Sequence, residues 1–191
     1  FHLTNDLSSK KIDKIRNSFF DKKLNINLNK KKILKIIHIT NLNERFNGRL
    51  HYNTGKRINN GLIRLGHNVL NISDRDIISS SRKISDPYGI SSLNKRIITA
   101  FEDFQPDCLI MGHADNVELN TLEYLKNKNN NLKISQWFLD PVSRKGPDYL
   151  NNKRRFLKFE KYTNANFITT DPNSLDFKSK NSFYIPNPAD E

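Results

Sequence analysis

From residue 33 onward the chain alternates short β-branched runs with stretches of helical spacing, and this alternation limits its fold more than any other feature. Ile33-Leu34-Lys35-Ile36-Ile37-His38-Ile39-Thr40 is almost continuously apolar, as in a strand buried on both faces. A polar loop follows, then a helical pattern over residues 51–65 that stops at Gly66, a residue suited to a helix C-cap. A second strand is predicted at residues 68–72, and a helix at 91–104 ends before Pro106-Asp107. Residues 108–111 form the third predicted strand, closed by Gly112-His113, and a helix over 117–127 comes next. A fourth strand at 133–139, a basic helix at 148–163, a fifth strand at 166–170 and a short sixth at 182–185 complete the pattern. Strands and helices in this rhythm predict a parallel sheet covered on both faces. Right-handed crossovers then restrict the topology to the doubly wound, Rossmann-like α/β class.

At 191 residues the chain suits one such domain, and 36% hydrophobic residues suffice for its core. Residues 32–186 are assigned to that domain. Residues 1–31 read as a basic helical extension and linker, with Ile12, Ile15, Phe19 and Phe20 at helical spacing. Residues 187–191 read as the start of a crossing into a second domain, and both ends look like the edges of a fragment. Lys and Arg total 32 against 20 acidic residues, a net charge of +12 that favours anionic partners. An Asn- and Lys-rich composition at tolerant positions gives the same excess with no partner at all. The lone cysteine, Cys108, has no intramolecular disulfide partner and sits in an apolar run, which fits a buried thiol in a reducing cytoplasm. No apolar stretch approaches the roughly 20 residues that span a bilayer.

Ligands of open α/β sheets bind beyond the C-terminal ends of the strands, and here those ends are polar. The first strand opens into Asn41-Leu42-Asn43-Glu44-Arg45-Phe46-Asn47-Gly48-Arg49 before a helix. The helix N-terminus favours an anion, Gly48 allows close backbone approach, and Arg45 and Arg49 bring fork-shaped donors. A polar loop that merely caps its helix fits the same residues. The dinucleotide fingerprint and the Walker P-loop are both missing, which argues against a dehydrogenase or an ATPase. Asp74, after the second strand, is placed to hold a ribose hydroxyl, to cap a helix or to pair with a cation. His113 and Asp115 follow the third strand, and Asp140 the fourth, with Arg144 close behind. His113 and Asp140 are the candidate proton-transfer groups, although a structural histidine reads equally well. His38, His67, Trp137 and Phe138 read as structural. Lys153, Arg154, Arg155, Lys158 and Lys161 form a basic helix face that suits an anionic lipid surface, nucleic acid or simple solvation. No Cys/His or carboxylate spacing suggests a metal.

Taken together, these segments resemble the N-terminal half of GT-B-fold bacterial glycosyltransferases, closest to the family-1/4-like and CgeB-type group. The resemblance rests on Lys35-Ile36-Ile37-His38-Ile39-Thr40-Asn41, on Gly61-Leu62-Ile63-Arg64-Leu65-Gly66-His67-Asn68-Val69, on Phe104-Gln105-Pro106-Asp107 before a strand ending Gly112-His113, and on Tyr184-Ile185-Pro186-Asn187-Pro188-Ala189-Asp190. It covers residues 32–191. It implies transfer of a sugar from a nucleotide-sugar donor, held mainly by a second domain, to an acceptor hydroxyl held here, with no other cofactor and no metal. In that family the loop matching Asn43, Glu44, Arg45, Asn47, Gly48 and Arg49 lines the interdomain cleft, His113 and Asp140 face it by position, and Asp115 and Arg144 are further candidates for substrate contact. The implied acceptor is a sugar, a lipid-linked group or another hydroxyl compound, in the cytoplasm or at the inner face of the membrane. By itself such a fragment is expected to be inactive. A non-catalytic α/β ligand-binding module is the alternative, and a basic nucleic-acid-binding domain, without any groove-reading motif, ranks third.

Overall fold

The computed structural model describes residues 32–179 and 181–188. The expected extension at 1–31 and residues 189–191 of the expected crossing lie outside them. Six strands form one sheet: β1 (Lys35–Thr40), β2 (Asn68–Ser73), β3 (Cys108–Gly112), β4 (Lys133–Phe138), β5 (Ala165–Ile168) and β6 (Ser182–Tyr184). Their order is β2-β1-β3-β4-β5-β6 and every pairing is parallel, so the fold is the expected Rossmann-like α/β sheet. The chain moves from β1 outward to β2, then returns past β1 to β3. The switch point, where a crevice opens in such sheets, therefore lies between the C-terminal ends of β1 and β3.

Five α-helices connect the strands: α1 (Thr54–Arg64), α2 (Asp74–Ser80), α3 (Ile90–Phe104), α4 (Leu119–Lys128) and α5 (Tyr149–Leu157). The sequence pattern assigns no element between residues 72 and 91 and so misses α2. A short helix forms there with Asp74 and Asp76 in its first turn, where their charge complements the helix dipole. The basic helix expected over 148–163 stops at Leu157, and the chain turns so that Phe159 enters the core.

Alternation along each strand sorts side chains to two faces. Ile37 and Ile39 of β1, Leu109 and Met111 of β3, and Ile134 of β4 pack with Leu93, Ile97 and Phe101 of α3 and Leu122 and Leu125 of α4. Burying each such side chain is worth about 1.5–3 kcal/mol. At the far end of the sheet Phe138 and Ile168 pack on Phe156 of α5. On the opposite face lie Ile36, His38 and Thr40, the alternate residues of β1. There the Trp137 indole crosses the end of β3 and donates from Nε1 to His38 Nε2 at 3.1 Å. The crossing requires Gly112, where an added Cβ would sit 1.9 Å from the indole. Gly55 has a similar part in α1, since a Cβ there would lie 2.7 Å from Thr40 Cγ2. The N-terminus of α1 is thereby pressed against the end of β1.

Candidate functional site

A cleft of about 320 Å³ lies at the switch point. Its floor is Thr40, Gly112 and Trp137; its walls carry Asn41, Asn43, Arg75, His113 and Asp140, and the first turn of α1 closes one side. Asn53 builds that side, accepting from Lys56 N at 3.0 Å as the helix cap and donating to Leu42 O at 3.0 Å. The N–H groups of Thr54 and Gly55, the first two residues of α1, have no intrahelical acceptor and border the cleft.

His113 follows β3 in a left-handed conformation, φ 50°, and its ring stacks on Phe138 with centroids 4.7 Å apart. Leu139 N donates to His113 Nε2 at 3.1 Å. Nδ1 lies 3.2 Å from Arg155 Nη2 and 3.5 Å from Asp140 Oδ2. Burial holds the imidazole below its usual range, against the pull of Asp140, which keeps the ring neutral near pH 7. Both nitrogens are thus committed, and no lone pair is left for a substrate proton. His113 fixes the end of β4.

Asp140 has the opposite character. Its side chain is 43% exposed, and Oδ2 receives Arg155 Nη1 at 2.7 Å. Oδ1 has no partner among the described residues. Arg155 also grips Asp115 Oδ2, through Nη2 at 2.8 Å and Nε at 3.1 Å. One turn on, Lys158 donates to the Asp115 carbonyl at 2.5 Å and to that of Val117 at 2.9 Å. Two of the basic residues expected on a solvated or lipid-facing helix surface are therefore turned inward, lacing the β3 and β4 loops to α5.

The candidate residues after β1 divide. Asn43 lines the cleft, its Oδ1 held by Asn41 Nδ2 at 2.7 Å. Glu44 and Arg45 form a short 3-10 turn whose backbone N–H groups donate to Asp76 at 2.8 and 3.2 Å. Arg45 Nη1 closes on Asp76 Oδ1 at 2.7 Å, so its guanidinium anchors the loop. Burial opposes the ionised form of Asp76, but the bonds from Ser73, Glu44 N and Arg45 hold its carboxyl below the usual range. Arg49 lies over the Phe46 ring at 5.8 Å, Asn47 takes a left-handed turn, and Gly48 borders a separate hollow with Glu44 and Lys56. Arg144 is 74% exposed and pairs with Asp176, away from the cleft.

Sequence reasoning passed over Arg75. It is exposed and lines the cleft, and its guanidinium makes no hydrogen bond or ion pair with a described residue. The signal was present in Ser73-Asp74-Arg75-Asp76, but strand-end position alone does not separate an occupied arginine from a free one. Among the described residues no group of three His, Cys, Asp or Glu side chains is placed to hold a metal ion. No described helix is long and apolar enough to cross a membrane. No protein-family model and no curated protein matches this chain.

Proposed function

We propose that this chain is the acceptor-side domain of a GT-B-type glycosyltransferase, with the switch-point cleft as the seat of the acceptor hydroxyl. The observation that carries the reading is the pairing, in one cleft, of a half-exposed carboxylate with a free oxygen and an unpaired guanidinium. Asp140 Oδ1 is available to take the proton of the attacking hydroxyl, while Arg155 holds the other oxygen. In the transfer, the acceptor oxygen bonds to the anomeric carbon as the bond to the nucleotide phosphate breaks. The hydroxyl proton passes to Asp140 and the nucleotide leaves. Arg75 and the N–H groups opening α1 suit the phosphate of a lipid-linked acceptor or of the donor itself. That role passes to Arg75 from Arg45, which is committed to Asp76. His113 acts through position, by fixing the end of β4. The same reading places the nucleotide-sugar mainly on a second domain and the reaction in the cytoplasm, at the inner membrane face when the acceptor is lipid-linked.

The test is transfer by a protein that joins this chain to a donor-binding domain. Asp140→Asn is expected to lower kcat by about 100-fold, the usual worth of a positioned proton acceptor. A loss under about tenfold would sink the assignment. The Arg155–Asp140 ion pair favours a second reading, a binding module without chemistry. Anion binding that survives Asp140→Asn, together with no transfer to any hydroxyl acceptor, would decide for that one.

A further inference from the structure

Asp74 has no solvent exposure, and neither carboxylate oxygen has a hydrogen-bond partner among the described residues. It opens α2 without capping it and forms no ion pair with a described residue, although both roles suit its place in the sequence. Buried carboxylates are ordinarily held by donors or by a cation. Its neighbour in the chain is Arg75, the free guanidinium of the cleft.

Burial pushes the Asp74 carboxyl up to about 6; Asp115 and Asp76 add to the effect, and the Arg75 amide and guanidinium offset part of it. The neighbouring arginines are Arg75 on α2, Arg45 in the loop after β1 and Arg96 on α3. Asp76 is held ionised, Asp115 is paired with Arg155, and burial keeps His38 on β1 neutral. His113 lines the same cleft, and burial holds it below its usual range.

We propose that Asp74 gates the anion-binding arm of the cleft. Loss of its proton sets a buried negative charge beside Arg75 and weakens the hold on an anion; protonation restores it. The proposal rests on Arg75 being the anion contact described above. It makes phosphate capture stronger on the acid side of neutrality, without any movement of the backbone.

Sulfate is the suitable probe, because its own charge is the same at pH 5 and 7.5. Binding to the 191-residue chain, followed by calorimetry, is expected to be about fivefold or more tighter at pH 5 than at pH 7.5, as for one charge acting through protein at effective dielectric values near 20–40. In Asp74→Asn the difference should shrink to under twofold, with the tighter affinity at both pH values. Equal wild-type affinity at the two pH values would overturn the gate. So would an undiminished difference in Asp74→Asn, which would assign the effect to His113. Failure of sulfate to bind at either pH would remove the Arg75 reading itself, and the gate with it. Should Asp74→Asn not fold, a carboxyl titration of the wild-type chain by NMR replaces it. Saturating sulfate must then raise the Asp74 midpoint, because the coupling is reciprocal, and an unmoved midpoint overturns the proposal.

Discussion

Arg155 Nη1 lies 2.7 Å from Asp140 Oδ2, and this contact joins the last turn of α5 to the loop after β4. The same guanidinium holds Asp115 beyond β3. One side chain therefore sets the relative position of two strand-end loops. Arg155→Met is expected to lower stability by about 1–3 kcal/mol, since it leaves two carboxylates without their donor. Thermal unfolding should register this as a fall of roughly 2–4 °C per kcal/mol. An unchanged midpoint would show that the loops are held by other contacts.

Gly112→Ala should disturb the other face of the sheet. The added methyl meets the Trp137 indole at 1.9 Å, so the ring must leave its bond with His38. Overpacking of this kind costs about 1–3 kcal/mol. The only tryptophan in the chain reports it directly, as a red-shifted emission alongside the lowered midpoint.

Arg45→Gln and Arg75→Gln should separate anchoring from binding. Arg45 is spent on Asp76, so its loss should destabilise the loop after β1 while leaving sulfate affinity within about twofold. The Arg75 guanidinium makes no hydrogen bond or ion pair with a described residue. Its substitution should leave the melting midpoint in place and weaken sulfate by about fivefold or more. The opposite pattern would return the anion role to Arg45.

Two buried groups oppose each other in acid. Burial lowers His38 to about 4, partly offset by nearby Asn59, so the unfolded chain binds the extra proton between about 4 and 6.5. That contribution to stability grows as pH rises through this window and is lost as pH falls through it. Asp74, raised to about 6, binds its proton more tightly when folded, so its contribution is present in acid and lost as pH rises from about 4 through 6. Wild-type stability should therefore rise less steeply between pH 4 and 6 than the buried histidines alone would make it. In Asp74→Asn the effects of His38 and of His113, also held below its usual range by burial, remain, and denaturant midpoints should climb more steeply with pH over the same range. A flat profile in the variant would contradict the burial of neutral His38.

Cys108 should be unreactive in the folded chain. Burial pushes its thiol up to about 11, with a bond from Ser135 offsetting part of the shift. Alkylation by iodoacetamide at pH 8 is expected to run about a hundredfold slower than in denaturant, because only the thiolate attacks.

The residue order determines the architecture almost completely. β-Branched runs such as Ile36-Ile37-His38-Ile39 and the stops at Gly66 and Pro106 mark strands and helices by local periodicity, and a parallel sheet with right-handed crossovers follows from their alternation. Local pattern likewise places His113 and Asp140 at strand ends, where the switch point brings them into one cleft. It cannot say which side chains are already spent. Arg45 and Arg75 stand equally well in the sequence, yet Asp76, some thirty positions from Arg45, occupies the first and leaves the second open. His113 reads as a proton acceptor until the Leu139 amide takes its lone pair. Arg155 and Lys158 read as a solvated face until α5 is laid across the loops of β3 and β4. Periodicity is a property of neighbours in the chain, whereas hydrogen-bond saturation and burial depend on partners brought together only by the folded sheet, and those partners decide which groups remain free for chemistry.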